Sequence, residues 1–179
     1  VKKPEHGEEM TDTGPAIQRA IDELAIIRTL SELAQAQDDL NYPAYMRCFT
    51  EQVYLSASVV MGGSEGEIAA HDLAVRYLDQ LSHFDAVHHI VTNHVIDIDG
   101  DEARCIADLF AVSVYKEDGK SSAANLGARY HLKLRRDGER WRIFERAVVP
   151  RYQYGDEESL KKAMARDPVR TVNMTGDES

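Results

Sequence analysis

The chain shows two hydrophobic periods, a helical one in its first half and an alternating one in its second half. From Pro15 onward, apolar residues recur every three or four positions, which is the spacing of one helix face. Proline is well tolerated in a first helical turn, so the helix is predicted to begin there. The predicted buried stripe consists of Ile17, Ile21, Leu24, Ile27, Leu30 and Ala34.

Shorter elements are predicted to follow this helix. Residues 44–49 are predicted as a short helix and residues 53–60 as a first strand. Ser64 is predicted to be the N-cap of a further helix, because Glu67 completes a capping box with it. That helix is predicted to run to about residue 81 and to bury Ile68, Leu73, Tyr77, Leu78 and Leu81.

The second half of the chain has the alternation typical of strands. Four strands are predicted over residues 88–98, 103–115, 128–135 and 141–150. Short loops join them, so neighbouring strands are predicted to be antiparallel. Helices followed by a meander favour an α+β fold in which the helices pack on one face of a bent sheet.

One domain is predicted over residues 15–155. Residues 1–14 are polar and lack periodicity, which predicts a flexible arm. Residues 156–179 are predicted as a charged tail with a short helix over 157–166 and disorder after it.

The composition narrows the classes of partner. The chain has 21 Lys and Arg against 31 Asp and Glu, a formal net charge of −10, and no basic block. This balance disfavours binding to nucleic acids and to anionic membranes. The sequence contains no run of about 18 apolar residues, so no membrane span is predicted. We expect a cytoplasmic protein. Cys48 and Cys105 are isolated and are predicted to be buried, reduced thiols.

Asp38 continues the predicted apolar stripe of the long helix. It lies four residues after Ala34 and eight after Leu30, whereas its neighbour Asp39 follows a polar row. A carboxylate on an apolar face is costly without a partner, so Asp38 is a candidate site residue. The alternative is that the helix has ended before Asp38, and that the acidic pair caps a turn.

Two adjacent histidines open the strand over 88–98. Histidine is suited to proton transfer near neutral pH, but neighbours on a strand point to opposite faces. We expect His89 to face the interior together with Val91, Asn93 and Val95. His88 is then predicted at the outer rim, unless a bulge reverses the two.

A metal site is not predicted from these histidines. His89 and His94 are separated by an odd number of residues, so they are expected on opposite faces of the strand. No cofactor-binding motif is present either, and no metal or cofactor is predicted.

Arg146 is the candidate for stabilising negative charge. It is predicted to share a strand face with Arg142 and Phe144, and a surface ion pair is the alternative role for its guanidinium. Tyr54 and Phe110 are expected to line a cavity, because of their strand positions and aromatic bulk.

Several short motifs follow one another in a fixed order along the chain. They are Asp38-x-x-Asn41-Tyr42, Phe49-Thr50-Glu51, His89-x-x-x-Asn93, the Gly100-Asp101 turn and Trp141-Arg142-Ile143-x-x-Arg146. Their order resembles the SnoaL-like branch of the nuclear transport factor 2-like superfamily over about residues 15–152. The fold that this resemblance implies is a cone-shaped α+β barrel. Relatives in that branch include polyketide cyclases, scytalone dehydratase, bile-acid dehydratase and hexachlorocyclohexane dehydrochlorinase, and the non-catalytic β subunit of ring-hydroxylating dioxygenases shares the fold.

The resemblance also assigns roles. Asp38 resembles the dyad aspartate of the dehydratases, His89 their catalytic histidine, and Arg146 the arginine that completes their pocket. Five residues before Asp38 those relatives often have Tyr or Lys, and this chain has Leu33. The residues expected to contact substrate are Leu33, Tyr54, His88 and Phe110.

Two functions follow as hypotheses. The first is a cofactor-independent lyase or isomerase, of dehydratase or cyclase type, that acts on a small hydrophobic cyclic substrate by His-Asp proton abstraction. The alternative, permitted by Leu33, is a non-catalytic ligand-binding or assembly module, such as a dioxygenase β-subunit-like protein. A homo-oligomer, dimer or trimer, through the outer sheet face is expected from the resemblance.

Overall fold

The computed structural model describes residues 13–56 and 65–177. Most of the predicted N-terminal arm and the Ser64 cap lie outside these residues. In chain order the elements are α1 (Gly14–Asp38), α2 (Tyr42–Arg47), β1 (Phe49–Leu55), β2 (Gly66–Ala69), α3 (Ala70–Ser82), β3 (Ala86–Asp99), β4 (Glu102–Glu117), β5 (Lys120–Asp137), β6 (Arg140–Gly155) and α4 (Glu157–Ala165).

The six strands form one curled sheet in the order β2-β1-β6-β5-β4-β3. The successive pairs from β3 to β6 are antiparallel hairpins, as predicted, and only β1 and β6 run parallel. The α+β prediction is therefore confirmed, and the long helix α1 packs against β3 and β6. β3 is an edge strand, and its open edge faces the end of α1.

The helix predicted from Ser64 begins later than expected. Gly66–Ala69 is instead a short strand antiparallel to β1, with Val53 opposite Ile68, and α3 begins at Ala70. Pairing with β1 satisfies the main-chain groups of this segment, which outweighs the local capping pattern.

The predicted buried face of α1 is wrong over its first three turns. Ile17, Ile21 and Leu24 are exposed by 58%, 52% and 66%. The face toward the sheet instead carries Asp22 and Ile26. The Asp22 carboxylate accepts two hydrogen bonds of 2.8 Å from Arg136 and one of 3.2 Å from the Trp141 indole, and these bonds fix the rotation of the helix.

A bulge in β3 changes which residues face inward. The pairing of β3 with β4 shifts between Thr92 and Val95, and Asn93 has a φ of 54°, which asparagine tolerates better than most residues. Asn93 and Val95 are consequently exposed, which corrects their expected position beside His89. His94 consequently faces inward, on the same side of the sheet as His89, although the two were expected on opposite faces.

A second bulge, in β6, reverses Arg146. Glu145 pairs with Lys133 and Ile143 with Leu134, which leaves Phe144 as the extra residue. Ile143 and Arg146 are both buried as a result, while Phe144 lies on the other face under the Arg135 guanidinium. The expectation that Arg146 shares a face with Phe144 was therefore wrong.

The C-terminal region is ordered beyond the predicted helix. α4 is confirmed, and the Asp156 side chain caps it by accepting from the main chain of Glu158 and Ser159 at 3.1 Å. The residues after α4 were expected to be disordered, but they pack along the domain. The main chain of Asn173 donates to Leu40 at 2.9 Å and accepts from Tyr42 at 3.0 Å.

Both cysteines are buried and free, as predicted. Burial raises the pKa of Cys48 to about 12 and that of Cys105 to about 11, so both thiols stay protonated. Among the helices of the described residues, none combines the length and the apolar character that crossing a membrane requires.

Candidate functional site

Asp38 and His89 form a direct contact at the open edge of β3. Asp38 is the last residue of α1, so the helix does reach it, contrary to the alternative of an earlier end. Its Oδ1 lies 2.7 Å from His89 Nδ1, and its two oxygens accept from the His89 main-chain N–H at 3.0 and 3.1 Å. A carboxylate only accepts, so the ring proton belongs on Nδ1 and Nε2 is left with a free electron pair.

His88 reaches the same carboxylate from outside. Its Nδ1 lies 3.2 Å from Asp38 Oδ2, and its side chain is 67% exposed, against 3% for that of His89. Neighbouring strand residues point to opposite faces, but Asp38 sits beside the strand edge and is accessible from both. His88 therefore lies at the rim, as strand alternation predicted, and it does not line the cavity that His89 faces, which corrects the expectation that it contacts substrate.

A cavity of about 260 Å³ opens beside His89. Its wall is mostly apolar, with four uncharged polar side chains besides the histidine and a tyrosine. The residues that line it are Tyr77, Gln80, Leu81, Phe84, His89, Ala111, Ser113, Ala124, Asn125, Leu126, Pro150, Gln153 and Leu160. This composition suits a small, largely apolar ligand with a few hydrogen-bonding groups.

Tyr77 is the polar neighbour of the free imidazole nitrogen. Its hydroxyl lies 3.3 Å from His89 Nε2, and its side chain is buried on α3. Burial raises the pKa of Tyr77, so the phenol stays neutral and remains a hydrogen-bond donor. The sequence predicted Tyr77 only as a buried helix residue, and no local signal marks its position beside the imidazole.

Arg146 lies beneath Tyr77 in the core. It donates to the hydroxyls of Tyr45 and Tyr130 at 3.2 and 3.4 Å, and its guanidinium lies 5.3 Å from the centre of the Tyr77 ring. No acidic side chain pairs with it among the residues that the structure describes, so the surface ion pair is not found. It does not line the cavity; it contacts the tyrosine that does.

The charge of Arg146 is held by tyrosine oxygens. Burial alone would lower the pKa of Arg146, but the oxygens of Tyr130, Tyr45 and Tyr77 outweigh it and raise the pKa above its ordinary value. Burial also raises the pKa of Tyr45 to about 12. The cluster is thus a guanidinium surrounded by neutral phenols.

Three residues expected to contact substrate lie away from this cavity. Tyr54 is exposed, on the face of β1 opposite the buried Val53 and Leu55, and its hydroxyl donates to Glu65 at 3.1 Å. Phe110 points to the outer face of β4, because the alternation places Ala111 inward. Leu33 is 1% exposed within the hydrophobic core. These positions correct the expected cavity lining.

The described residues contain no group of three His, Cys, Asp or Glu side chains placed to hold a metal ion. His94 faces inward because of the bulge, but it lies five residues beyond His89 along β3 and the two belong to no such group.

Several solved structures share the fold of this chain. The Kfla4162 protein from Kribbella flavida is 21% identical, with a TM-score of 0.73 over 80% of this chain and 99% of its own. A provisionally assigned scytalone dehydratase from Novosphingobium aromaticivorans is 17% identical, with a TM-score of 0.66 over 92% of this chain and 99% of its own. A type 2 hexachlorocyclohexane dehydrochlorinase, LinA, is 16% identical, with a TM-score of 0.64 over 79% of this chain and 93% of its own.

No curated protein matches the chain in sequence. The sequence profile of the SnoaL-like domain does match, over residues 18–147, which is most of the chain and includes Asp38, His89 and Arg146. The chain therefore belongs to the SnoaL-like domain family.

Proposed function

We propose that this protein is a cofactor-independent lyase or isomerase that removes a proton from a small, hydrophobic, cyclic substrate. The observation that supports this most is the position of His89, whose Nδ1 is held by Asp38 at 2.7 Å while its other nitrogen faces an apolar cavity. General-base catalysis by such a group contributes about 10²–10⁴-fold in rate.

The proposed reaction begins with transfer of a proton from a carbon next to a carbonyl to His89 Nε2. The C–H electron pair becomes part of a C=C bond, and negative charge moves to the carbonyl oxygen. The Tyr77 hydroxyl donates to Nε2 when no substrate is bound, and on substrate binding it would turn to donate to that oxygen, which leaves the Nε2 electron pair to take the proton. The enolate then expels a β-leaving group, either halide, after which His89 releases its proton to solvent, or a hydroxyl that takes the proton from His89 and leaves as water. Alternatively, His89 returns the proton to another carbon, as in isomerisation.

Arg146 would act through Tyr77 in this proposal. It contacts the Tyr77 ring and donates to the two neighbouring tyrosine hydroxyls, so its charge stabilises an anion on the far side of Tyr77 without touching the substrate. It is a positioning and electrostatic residue in this proposal.

Deuterium exchange tests the proposal without knowledge of the natural substrate. In D₂O, the protein should accelerate deuterium uptake at the carbons next to the carbonyl of 2-tetralone or cyclohexanone, which are small cyclic ketones. His89→Ala and Asp38→Asn should each lower the protein-dependent rate by about 10²-fold or more, because one removes the base and the other its orienting acceptor. NMR of the ketone follows the exchange.

His131→Ala is the matched control, because His131 is an exposed strand histidine on β5. It should retain the wild-type rate. Wild-type exchange rates in both dyad variants would refute the proposed base. Exchange no faster than in buffer, together with a second protein that copurifies at a fixed ratio, would favour the non-catalytic assembly module instead.

We also propose a homo-oligomer that forms through the outer face of the sheet. Apolar side chains are exposed there on β3, β4 and β6, with Ile90 exposed by 44%, Ile106 by 39% and Tyr152 by 54%. An apolar surface of this kind on a folded domain is typical of an interface.

A further inference from the structure

The segment after α4 holds the end of α1 that carries Asp38. This segment, residues 166–177, lies beyond residues 18–147, the part that matches the SnoaL-like domain. Asn173 forms a parallel bridge with Asn41 and exchanges main-chain hydrogen bonds with Leu40 and Tyr42. The turn that follows Asp38 is thus fixed by a part of the chain outside the matched domain.

Arg170 contacts the last turn of α1 directly. Its guanidinium donates to the main-chain oxygen of Asp38, one of the carbonyls that a helix leaves without a partner at its end. A cation at this end is also favoured by the helix dipole. Arg170 lines the shallow groove that Asp38, Asp39 and His88 share, and it does not line the cavity beside His89.

The same segment is tied to α3 and to the start of β3. The main-chain N–H groups of Val169 and Arg170 both donate to Ser82 at the end of α3, at 3.0 and 3.1 Å. The Arg166 guanidinium donates to the His83 main-chain oxygen at 2.6 Å and to Asp85 at 2.7 Å. The segment therefore connects the elements that carry Asp38, Tyr77 and His89.

We infer that Arg170 is a positioning residue, which fixes the end of α1 so that the Asp38 carboxylate stays in contact with the His89 ring. Without this bond the last turn of α1 loses its carbonyl partner and frays, and Asp38 moves with it. The effect on rate rests on the proposed function, whereas the effect on the Asp38–His89 contact does not.

The test compares Arg170→Gln and Arg170→Met with the wild-type protein and with Arg104→Gln, a control on an exposed arginine of β4. In protein labelled with ¹⁵N-histidine, the Nδ1 proton of His89 reports its bond to Asp38. We expect it to exchange with water faster in both Arg170 variants and to be unchanged in Arg104→Gln. For 2-tetralone exchange, kcat should fall about tenfold with KM nearly constant, less than the ~100-fold that a 1 Å misplacement can cost.

Arg170→Lys should restore part of both effects, because its ammonium can still donate to the Asp38 carbonyl. A His89 ring proton that exchanges at the wild-type rate in folded Arg170→Gln or Arg170→Met would overturn the inference. If neither variant folds, Arg170→Ala, which removes the donor without adding a polar or bulky side chain, decides in the same way, with faster exchange supporting the inference and wild-type exchange overturning it. A wild-type protein without ketone exchange would refute the proposed function alone, since the ring-proton result still stands.

Discussion

At the scale of single residues, helical phase, strand alternation and the family resemblance together singled out Asp38 and His89, and the structure places these two side chains in contact. Asp38 was chosen because it follows Leu30 and Ala34 on one face, and these two residues are indeed buried. The sequence could not place Tyr77 beside the imidazole, because that contact joins a helix and a strand through the fold rather than through local spacing. It also placed Tyr54 and Phe110 on the wrong side of their strands, since nothing in a short run fixes the face of an isolated aromatic.

Asp22 illustrates a buried carboxylate whose role is stability. The hydrogen bonds from Arg136 lower the pKa of Asp22 from 3.8 to about 2, against the opposing effect of burial. A carboxyl group whose pKa is lower when folded stabilises the protein above its unfolded pKa, and that stabilisation is lost as the pH falls through the folded pKa. Asp22 therefore contributes fully above about pH 5 and loses this contribution between about pH 5 and 2.

We predict that Asp22→Asn lowers the free energy of unfolding by about 2 kcal/mol at pH 7, since each unit of pKa shift corresponds to about 1.4 kcal/mol. Urea denaturation at pH 7 and near pH 3 measures this, and the difference from wild type should shrink at the lower pH. Glu23→Gln is the control, because Glu23 pairs with an exposed arginine and should change stability by less than about 0.5 kcal/mol. An equal loss in both variants would contradict the prediction.

At the scale of elements, the strand pattern predicted the β3–β6 meander, and the errors came from interactions that a local pattern does not contain. The bulges at Asn93 and Phe144 each add one residue to a strand and reverse the faces beyond it, and no residue before them signals the change. The sequence pattern assigned the wrong face of α1 to the core over its first three turns, because Ile17, Ile21 and Leu24 are large apolar residues on one side of the helix. The actual face is set by the bonds of Asp22 to Arg136 and Trp141.

The rotation of α1 leads to a stability prediction. Ile26 is fully buried, so Ile26→Ala should lower the free energy of unfolding by about 2–5 kcal/mol. Ile21 is 52% exposed on the same helix, so Ile21→Ala should lower it by no more than about 0.5 kcal/mol. Urea denaturation of both variants measures the difference. A larger loss of stability in Ile21→Ala than in Ile26→Ala would mean that Ile21 is on the buried face, as the sequence pattern predicted.

At the scale of the whole molecule, an acidic chain exposes large apolar side chains on one face of its sheet. The chain carries a net charge of −10, yet the outer face of the sheet exposes Ile90, Ile106 and Tyr152. The net negative charge repels copies of the chain, and contact between these apolar side chains offsets that repulsion at the outer face. This distribution supports the proposed homo-oligomer.

We predict that Ile90→Glu converts the oligomer to a monomer, because it replaces an apolar side chain of the proposed interface with a charge. Size-exclusion chromatography with light scattering gives the mass of each species. Val75→Glu is the control, since Val75 is 43% exposed on α3, away from the sheet face, and should leave the mass unchanged. A monomeric wild-type protein would rule out this interface.

A single carboxylate serves both the main chain of β3 and the ring of His89. The imidazole is thereby attached to a hydrogen-bonded strand of the sheet and to the end of a helix, not to a loop. In the proposed function, substitutions in the wall contributed by α4 and the far end of β6 change which molecule enters and leave the proposed base where it is. Substrate preference and proton transfer then depend on separate parts of the fold.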